Sequence, residues 1–249
     1  MDAEASETKA NETGAPETQT PETALLPADI TRESWIGTWT AVRFEAEGAV
    51  VSGKLANYES SFSLKLNDDN TGSLAMQDDW KDGSWSWEEG NTGSFTMNDK
   101  SFSMFMNEKG QIEFNLVFDD SSMNLLFEKG TDPDFTIPYD LSKAVPLTDR
   151  SILTGTWETD AMIMNEVCVE GNMDLFGGFD LQIEWGPDGT GTITMNGEPS
   201  ELTWTVDENG TSLIDEGTSL SLTQLDDRLL LDFTPIMDGM YLILGQQGG

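Results

Sequence analysis

Apolar and polar residues alternate along most of this chain, with the period of two that a half-buried β-strand requires. Phe62, Leu64 and Leu66 are separated by Ser63 and Lys65, and Trp85 and Trp87 by Ser86. Phe95 and Met97 flank Thr96; Phe102, Met104 and Met106 alternate; so do Ile112, Phe114, Leu116 and Phe118, and then Met123, Leu125 and Phe127. Turn-forming clusters punctuate the runs: Asn67-Asp68-Asp69-Asn70-Thr71-Gly72, Glu89-Gly90-Asn91-Thr92-Gly93, Asn107-Glu108-Lys109-Gly110 and Asp119-Asp120-Ser121. Asn, Asp and Gly there accept the backbone angles of tight turns at little cost. The pattern predicts a series of antiparallel hairpins, up and down, with one face in a core.

The pattern then returns. Ile36-Gly37-Thr38-Trp39 is echoed 118 residues on by Thr154-Gly155-Thr156-Trp157. In the same order, Phe62, Leu64 and Leu66 match Phe179, Leu181 and Ile183; Gly72 and Met76 match Gly191 and Met195; Trp87 matches Trp204; and Met123, Leu125 and Phe127 match Met240, Leu242 and Leu244. A period this long is the size of a domain and not of a solenoid repeat. The expected fold class is all-β: two tandem antiparallel up-and-down barrels of about eight strands each, since closing a sheet removes its raw edges. A two-sheet sandwich is the alternative architecture. The expected organisation is a disordered acidic spacer over 1–32, a first copy over 33–130, a linker over 131–148 and a second copy over 149–249. Phe135, Ile137, Tyr139 and Leu141 alternate within the linker, which predicts that it docks along a barrel.

Composition narrows the chemistry. The formal charge is −34, from 46 Asp and Glu against 12 Lys and Arg. Such a surface repels phosphate, which argues against nucleic acid and anionic lipid as partners. Low Lys with abundant carboxylate is also the composition of salt-adapted proteins. The chain has no histidine and a single cysteine, Cys168, between Val167 and Val169. That removes the commonest general base and transition-metal ligand, and the cysteine reads as a buried hydrophobe. No nucleophile motif, phosphate loop, dinucleotide fingerprint or zinc spacing is present. The carboxylate groups Asp68-Asp69, Asp78-Asp79-Asp82, Asp119-Asp120 and Asp226-Asp227 read as hairpin or loop residues. Neighbours on one turn cannot flank a glycoside, and turn propensity explains them without calcium. The expectation is a non-enzymatic protein with no catalytic residue, metal or cofactor, and a monomer.

The 1–32 tail repeats Glu-Thr four times, between Pro16, Pro21 and Pro27. Too little apolar surface is present to offset its ordering entropy, and it resembles the acidic spacer that follows the lipidated cysteine of bacterial lipoproteins. That resemblance implies an extracytoplasmic place, secreted or at the cell surface, with membrane contact only through a lipid anchor that this sequence does not itself carry.

Gly-Thr-Trp on the first strand of a small antiparallel barrel, at Gly37-Thr38-Trp39 and again at Gly155-Thr156-Trp157, resembles the signature of bacterial lipocalin-like domains, as do the turns Asp69-Asn70-Thr71-Gly72 and Asp188-Gly189-Thr190-Gly191. The resemblance implies that Trp39 and Trp157 plug the closed ends of two barrels. It further implies that the connections Gly48–Glu59 and Val167–Gly178 cover the open ends, with Ala49, Val50, Val51, Leu55 and Tyr58, or Met173, Leu175 and Phe176, as lid residues. It implies a small hydrophobic or aromatic ligand inside. The expected ligand-binding residues are Tyr58, Leu55, Trp80, Trp85, Trp87, Met104, Phe176 and Trp204. Two departures point to a filled interior: the last strands, Met123–Phe127 and Met240–Leu244, carry no Arg to stack on the Trp, and each copy is shorter than a full lipocalin. Alternating Trp85, Trp87 and Trp204 then fill the core, and the protein is a surface-anchored structural or adhesive one that meets a partner protein through loops and outer faces. Trp80, in the polar run Gln77–Asp82, and Trp35, ahead of the first strand, read as exposed contacts.

Overall fold

The computed structural model describes residues 29–247, apart from 56–60, 89, 119–120, 134, 174–178, 187, 208–209 and 216. The chain is all-β. Its first half comprises β1 (Gly37–Ala46), β2 (Ala49–Gly53), β3 (Phe62–Leu66), β4 (Thr71–Met76), β5 (Asp79–Trp87), β6 (Thr92–Met97), β7 (Lys100–Met106), β8 (Ile112–Phe118) and β9 (Ser121–Lys129), preceded by a four-residue helix α1 (Arg32–Trp35). After the short β10 (Val145–Pro146) come β11 (Thr156–Met164), β12 (Val167–Gly171), β13 (Leu181–Trp185), β14 (Thr190–Met195), β15 (Glu198–Asp207), β16 (Gly210–Asp215), β17 (Thr218–Leu225), β18 (Arg228–Asp232) and β19 (Met240–Gln246).

Eight strands form a closed antiparallel barrel: β3 to β9 pair in sequence, and β1 closes the circle by pairing with β3 on one side and β9 on the other. The remaining eleven strands lie outside that barrel. β1 is divided. Gly37–Thr40 pair with β3, Arg43–Ala46 pair with β2, and the register against β9 shifts between Ala41 and Arg43. The extra residue, Val42, is a β-bulge, and a bulge bends and twists its strand. Beyond the bulge β1 stays paired with β9, while its other edge passes from β3 to β2.

Pairings of the same kind recur in the second half. Thr156–Glu158 of β11 pair with β13, Ala161–Met164 pair with β12, and the register against β19 shifts between Thr159 and Ala161. β13 to β19 then pair in sequence. The pairings correct the sequence alignment in two places. Trp39 faces Leu64, and Trp157 faces Ile183. The counterpart of Leu64 is therefore Ile183, two residues beyond the Leu181 that sequence matching selects. In the same way Trp85 N donates to Asn70 O at 2.9 Å and Trp204 N to Gly189 O at 2.8 Å. Trp85, not Trp87, occupies the place of Trp204. A slip of two residues leaves every side chain on the same face, so alternation alone cannot detect it.

The segments expected as lids are strands in part. Ala49–Gly53 and Val167–Gly171 are β2 and β12, and they pair with each other, Val51 opposite Val169. β-Branched runs of this kind favour strands, and each finds its partner more than a hundred residues away. Leu55 and Met173 are buried in the core; Tyr58, Leu175 and Phe176 lie outside the described residues. The linker packs as expected of its alternation: Ile137, Tyr139, Leu141 and Ala144 lie against Ala161, Ile163, Cys168, Leu225, Leu230 and Ile243, while Val145 and Pro146 pair with Gln224 and Thr223.

Trp39 and Trp157 are both buried. Trp39 Nε1 donates to Trp35 O at 2.8 Å, and Trp157 Nε1 to Thr154 O at 3.1 Å. Directly opposite them on the last strands stand Lys129 and Gln246. The Lys129 ammonium lies 5.3 Å from the centre of the Trp39 ring and donates to Ser34 O at 2.9 Å, while Gln246 Nε2 donates to Thr154 O at 3.0 Å. A lysine thus covers the Trp39 ring. Burying Trp39 this completely makes it a large part of the core. Trp39→Ala should lower the unfolding free energy by about 3–5 kcal/mol in urea titrations; a change under about 0.5 kcal/mol would show that the ring plugs nothing.

Candidate functional site

The sequence-derived candidates divide by where the strands carry them. Leu55, Trp85, Met104 and Trp204 are buried, Trp87 is half-buried, and Trp80 is 46% exposed on β5. Tyr58 and Phe176 lie outside the described residues. The fold therefore does not gather the six described candidates into one wall. Trp35, expected as an exposed contact, is fully buried. It ends α1, where Ser34 Oγ accepts from Thr31 N at 3.2 Å, and that turn folds the ring into the same apolar cluster as Trp39.

The interior of the first barrel is occupied by side chains. Phe114 lies at its centre, with ring centroids 5.9 Å from Phe95, 6.1 Å from Phe102 and 6.2 Å from Phe127. The first two contacts are edge-to-face, the arrangement that the ring quadrupole favours. Met104, Met106, Ile112, Leu64 and Leu66 fill the space around these rings and are buried. In the second half Trp185 and Trp204 meet edge to face at 5.7 Å. Cations cover the tryptophans nearest the ends. Arg32 lies 5.1 Å from the Trp85 ring and donates to Asn70 Oδ1 at 2.8 Å; Arg150, 118 residues on, lies 5.6 Å from the Trp204 ring. Each such contact stabilises by roughly 0.5–2 kcal/mol, depending on how far it is desolvated.

A groove of about 1180 Å³ runs over the outer face of β6 to β9 and β1. Its floor is a polar row that crosses five strands: Ser94, Ser103, Asn115, Asn124 and Glu45 stand opposite one another in turn, and Ser86 of β5 continues the row beyond the groove's edge. Ser86 and Ser94 hydroxyls are 2.9 Å apart, and Asn115 Nδ2 donates to Asn124 Oδ1. The neighbouring row is Thr92, Phe105, Glu113, Leu126 and Arg43. Phe105 is 40% exposed. Arg43 is held by Glu45 at 2.5 Å, and Gln111 Nε2 donates to Glu128 Oε1 at 2.7 Å at the far end. The arrangement offers amide and hydroxyl groups in a line, beside one exposed ring. These residues are the polar members of each alternation, whose apolar members carry the pattern's signal. One signal was present: Met104-Phe105-Met106 breaks the alternation, so one large apolar residue must face outward.

Cys168 is fully buried, and burial, assisted by the charge of Glu170, pushes its thiol up to about 12. A thiol so placed is a poor nucleophile. Beside it Tyr139 of the linker donates to Glu170 Oε1 at 3.2 Å and lies 5.8 Å from the guanidinium of Arg228. Burial, then Glu170, raises the Tyr139 phenol above its usual range. Arg228 Nε is 2.9 Å from Asp160 Oδ2, the carboxylate at the second bulge. Among the described residues, no three His, Cys, Asp or Glu side chains converge as a metal site. Asp69 accepts from Thr71 N at 2.9 Å and from its hydroxyl, and these bonds hold its carboxyl below the usual range. Its oxygens serve the turn.

No protein-family model matches the chain, and no curated protein is similar to it. Among solved structures, the chain is similar to a protein of unknown function from the DUF3598 family of Nostoc punctiforme, at 11% identity over 85% of this chain and 94% of that one, with a TM-score of 0.25. A superposition that loose carries no argument about this chain.

The Cys168–Tyr139 cluster makes stability depend on pH in a defined direction. Unfolded, the thiol loses its proton near 9.0; folded, it keeps it to about 12. Deprotonation therefore favours the unfolded chain, and the cluster's contribution is whole below pH 9.0 and lost as the pH climbs toward 12. Denaturation midpoints should fall over that window, and the fall should flatten in the double variant Cys168→Ala, Tyr139→Phe. An unchanged slope would mean that neither group titrates differently in the folded chain.

Proposed function

We propose that the chain is a non-enzymatic binding protein of two barrels built on one lipocalin-like plan, and that the first barrel takes a partner polypeptide along its outer groove. The observation that carries this reading is the groove itself, an open channel of about 1180 Å³ lying over a barrel whose inner positions are filled by Phe95, Phe102, Phe114 and Phe127. The shared plan is supported by the matching bulges at Val42 and Asp160 and by the return of pairing from β19 to β11, which we take as a second closed barrel. A Gly-Thr-Trp on each first strand, with the Trp buried, supports the lipocalin-like reading. The acidic Thr/Pro/Glu tail supports an extracytoplasmic place, where it would act as a spacer.

The groove's chemistry suits an extended segment of protein. A row of Ser and Asn side chains can bond to peptide amides and carbonyls, while Phe105 and Leu126 give apolar contact. Glu45, Glu88, Glu108 and Glu113 outnumber Arg43 and Lys109 along its walls, within a chain of formal charge −34. The partner segment is therefore basic, and its capture is steered electrostatically.

The test uses fluorescence anisotropy with extended Lys/Arg-bearing peptides, acidic peptides of equal length, and a neutral apolar probe. Basic peptides should bind in a salt-sensitive manner, and Ser103→Trp, which fills the groove floor, should weaken them by about tenfold or more, an interface residue's worth of about 1.4 kcal/mol. Saturable binding of the apolar probe near one per barrel, displaced by a fatty acid, with no peptide binding, would instead establish hollow barrels for a small hydrophobic ligand.

A further inference from the structure

The seam between β2 and β12 has a symmetry that an arbitrary strand pairing lacks. Val51 faces Val169, and these two residues are 118 apart, the spacing that separates the two Gly-Thr-Trp motifs. The other pairs fall symmetrically about that centre: Ala49 faces Gly171 as Gly53 faces Val167, and Val50 faces Glu170 as Ser52 faces Cys168. Adding 118 to one member of each pair and removing it from the other turns each pair into its mate. The closing hydrogen bonds obey the same rule. Lys54 N donates to Glu166 O at 3.0 Å, and Asn172 N donates to Gly48 O at 3.1 Å. So do the close approaches. A Cβ on Gly53 would stand 2.1 Å from Glu166 O, and one on Gly171 would stand 2.3 Å from Gly48 O. Both glycines have positive φ, +105° and +77°, which side-chain-bearing residues rarely adopt.

This is an isologous interface, the same patch used twice about a two-fold axis, as in a dimer of identical subunits. Such a patch is complementary to itself. Each strand of the seam therefore already has the register and end contacts needed to pair with another copy of itself. The two strands differ in how well they would do so. β2 is uncharged throughout, Ala49-Val50-Val51-Ser52-Gly53, whereas β12 carries Glu170. Pairing β12 with itself would set the two Glu170 side chains of the copies on one short ladder, and like charges there are unfavourable. Pairing β2 with itself brings no charge together.

The geometry points to β2 as a homotypic docking edge: released from β12, it pairs with the β2 of a second copy of this chain, Val51 against Val51, in the register it now uses. In the intact chain β12 occupies that edge and blocks the association. The second half thus acts as a built-in cap on a self-pairing first half.

The test begins with the full chain, folded, carrying a protease site in place of residues 131–134 and cut afterwards. Native mass spectrometry then follows the two fragments. The expected result is a heteropair at first, from which a homodimer of the first fragment grows with time and concentration, and which Gly53→Val abolishes. A second variant works without cutting. In the intact chain Gly171→Val jams β12 against Gly48 O and frees β2, and light scattering should read two copies of 27.4 kDa where the parent reads one. The proposal is overturned by a cut chain that yields only heteropair or monomeric fragments, by a homodimer indifferent to Gly53→Val, or by a folded Gly171→Val chain that keeps the mass of one copy.

Discussion

One strand with three partners governs this fold. β1 spans ten residues and gives its first four to β3, its last four to β2, and its other edge to β9. A strand has only two edges, so serving three neighbours requires that one edge be shared in sequence. The bulge at Val42 is where the sharing changes hands. Before the bulge that edge closes the barrel on β3; after it the edge turns to β2, whose far edge pairs with β12. The barrel, the β1–β2 hairpin and the contact between the two halves all follow from that division. β11 is divided in the same manner about Asp160, where the odd residue also holds Arg228.

Closure at about eight strands leaves an interior that side chains can fill, and large aromatic residues fill it here. Positive charge is scarce in this chain, 12 residues against 46 carboxylates, and its placement is correspondingly economical. Arg32, Lys54, Lys129, Arg150 and Arg228 each lie within 6 Å of an aromatic ring centre. These contacts cover the ends of the core and anchor the segment that leads into each first strand. Along the groove the outer face is left to serine, threonine, asparagine and carboxylates, with Phe105 and Leu126 as apolar members.

Much of this was legible from alternation. The apolar members of each run named the core, and the Asn, Asp and Gly clusters marked the turns. Three things were hidden for definite physical reasons. A two-residue slip preserves facing, so Trp87 and Trp85 were interchangeable as partners of Trp204. Trp35 looked exposed because it stands beside polar residues, yet a single capped turn is enough to reverse its direction. The segments Ala49–Gly53 and Val167–Gly171 looked like coverings for the barrel mouths, since neither has a strand partner nearby in sequence other than its own hairpin. Their remaining edges are satisfied by each other, at a separation that no local pattern encodes. The groove was the least legible feature, because it is built from the polar half of an alternation whose apolar half carried the signal.

The seam has a consequence for dilution. Two strands that pair across separate molecules come apart when the solution is thinned, because their encounter depends on concentration. β2 and β12 belong to one chain, and the segment between them is packed down by Ile137, Tyr139 and Leu141. Their effective concentration is fixed by that tether at about the millimolar level or above, whatever the bulk value. An unpaired strand edge is the usual nucleus of sheet-to-sheet aggregation, and here the tether keeps it sealed at every concentration at which the protein is present.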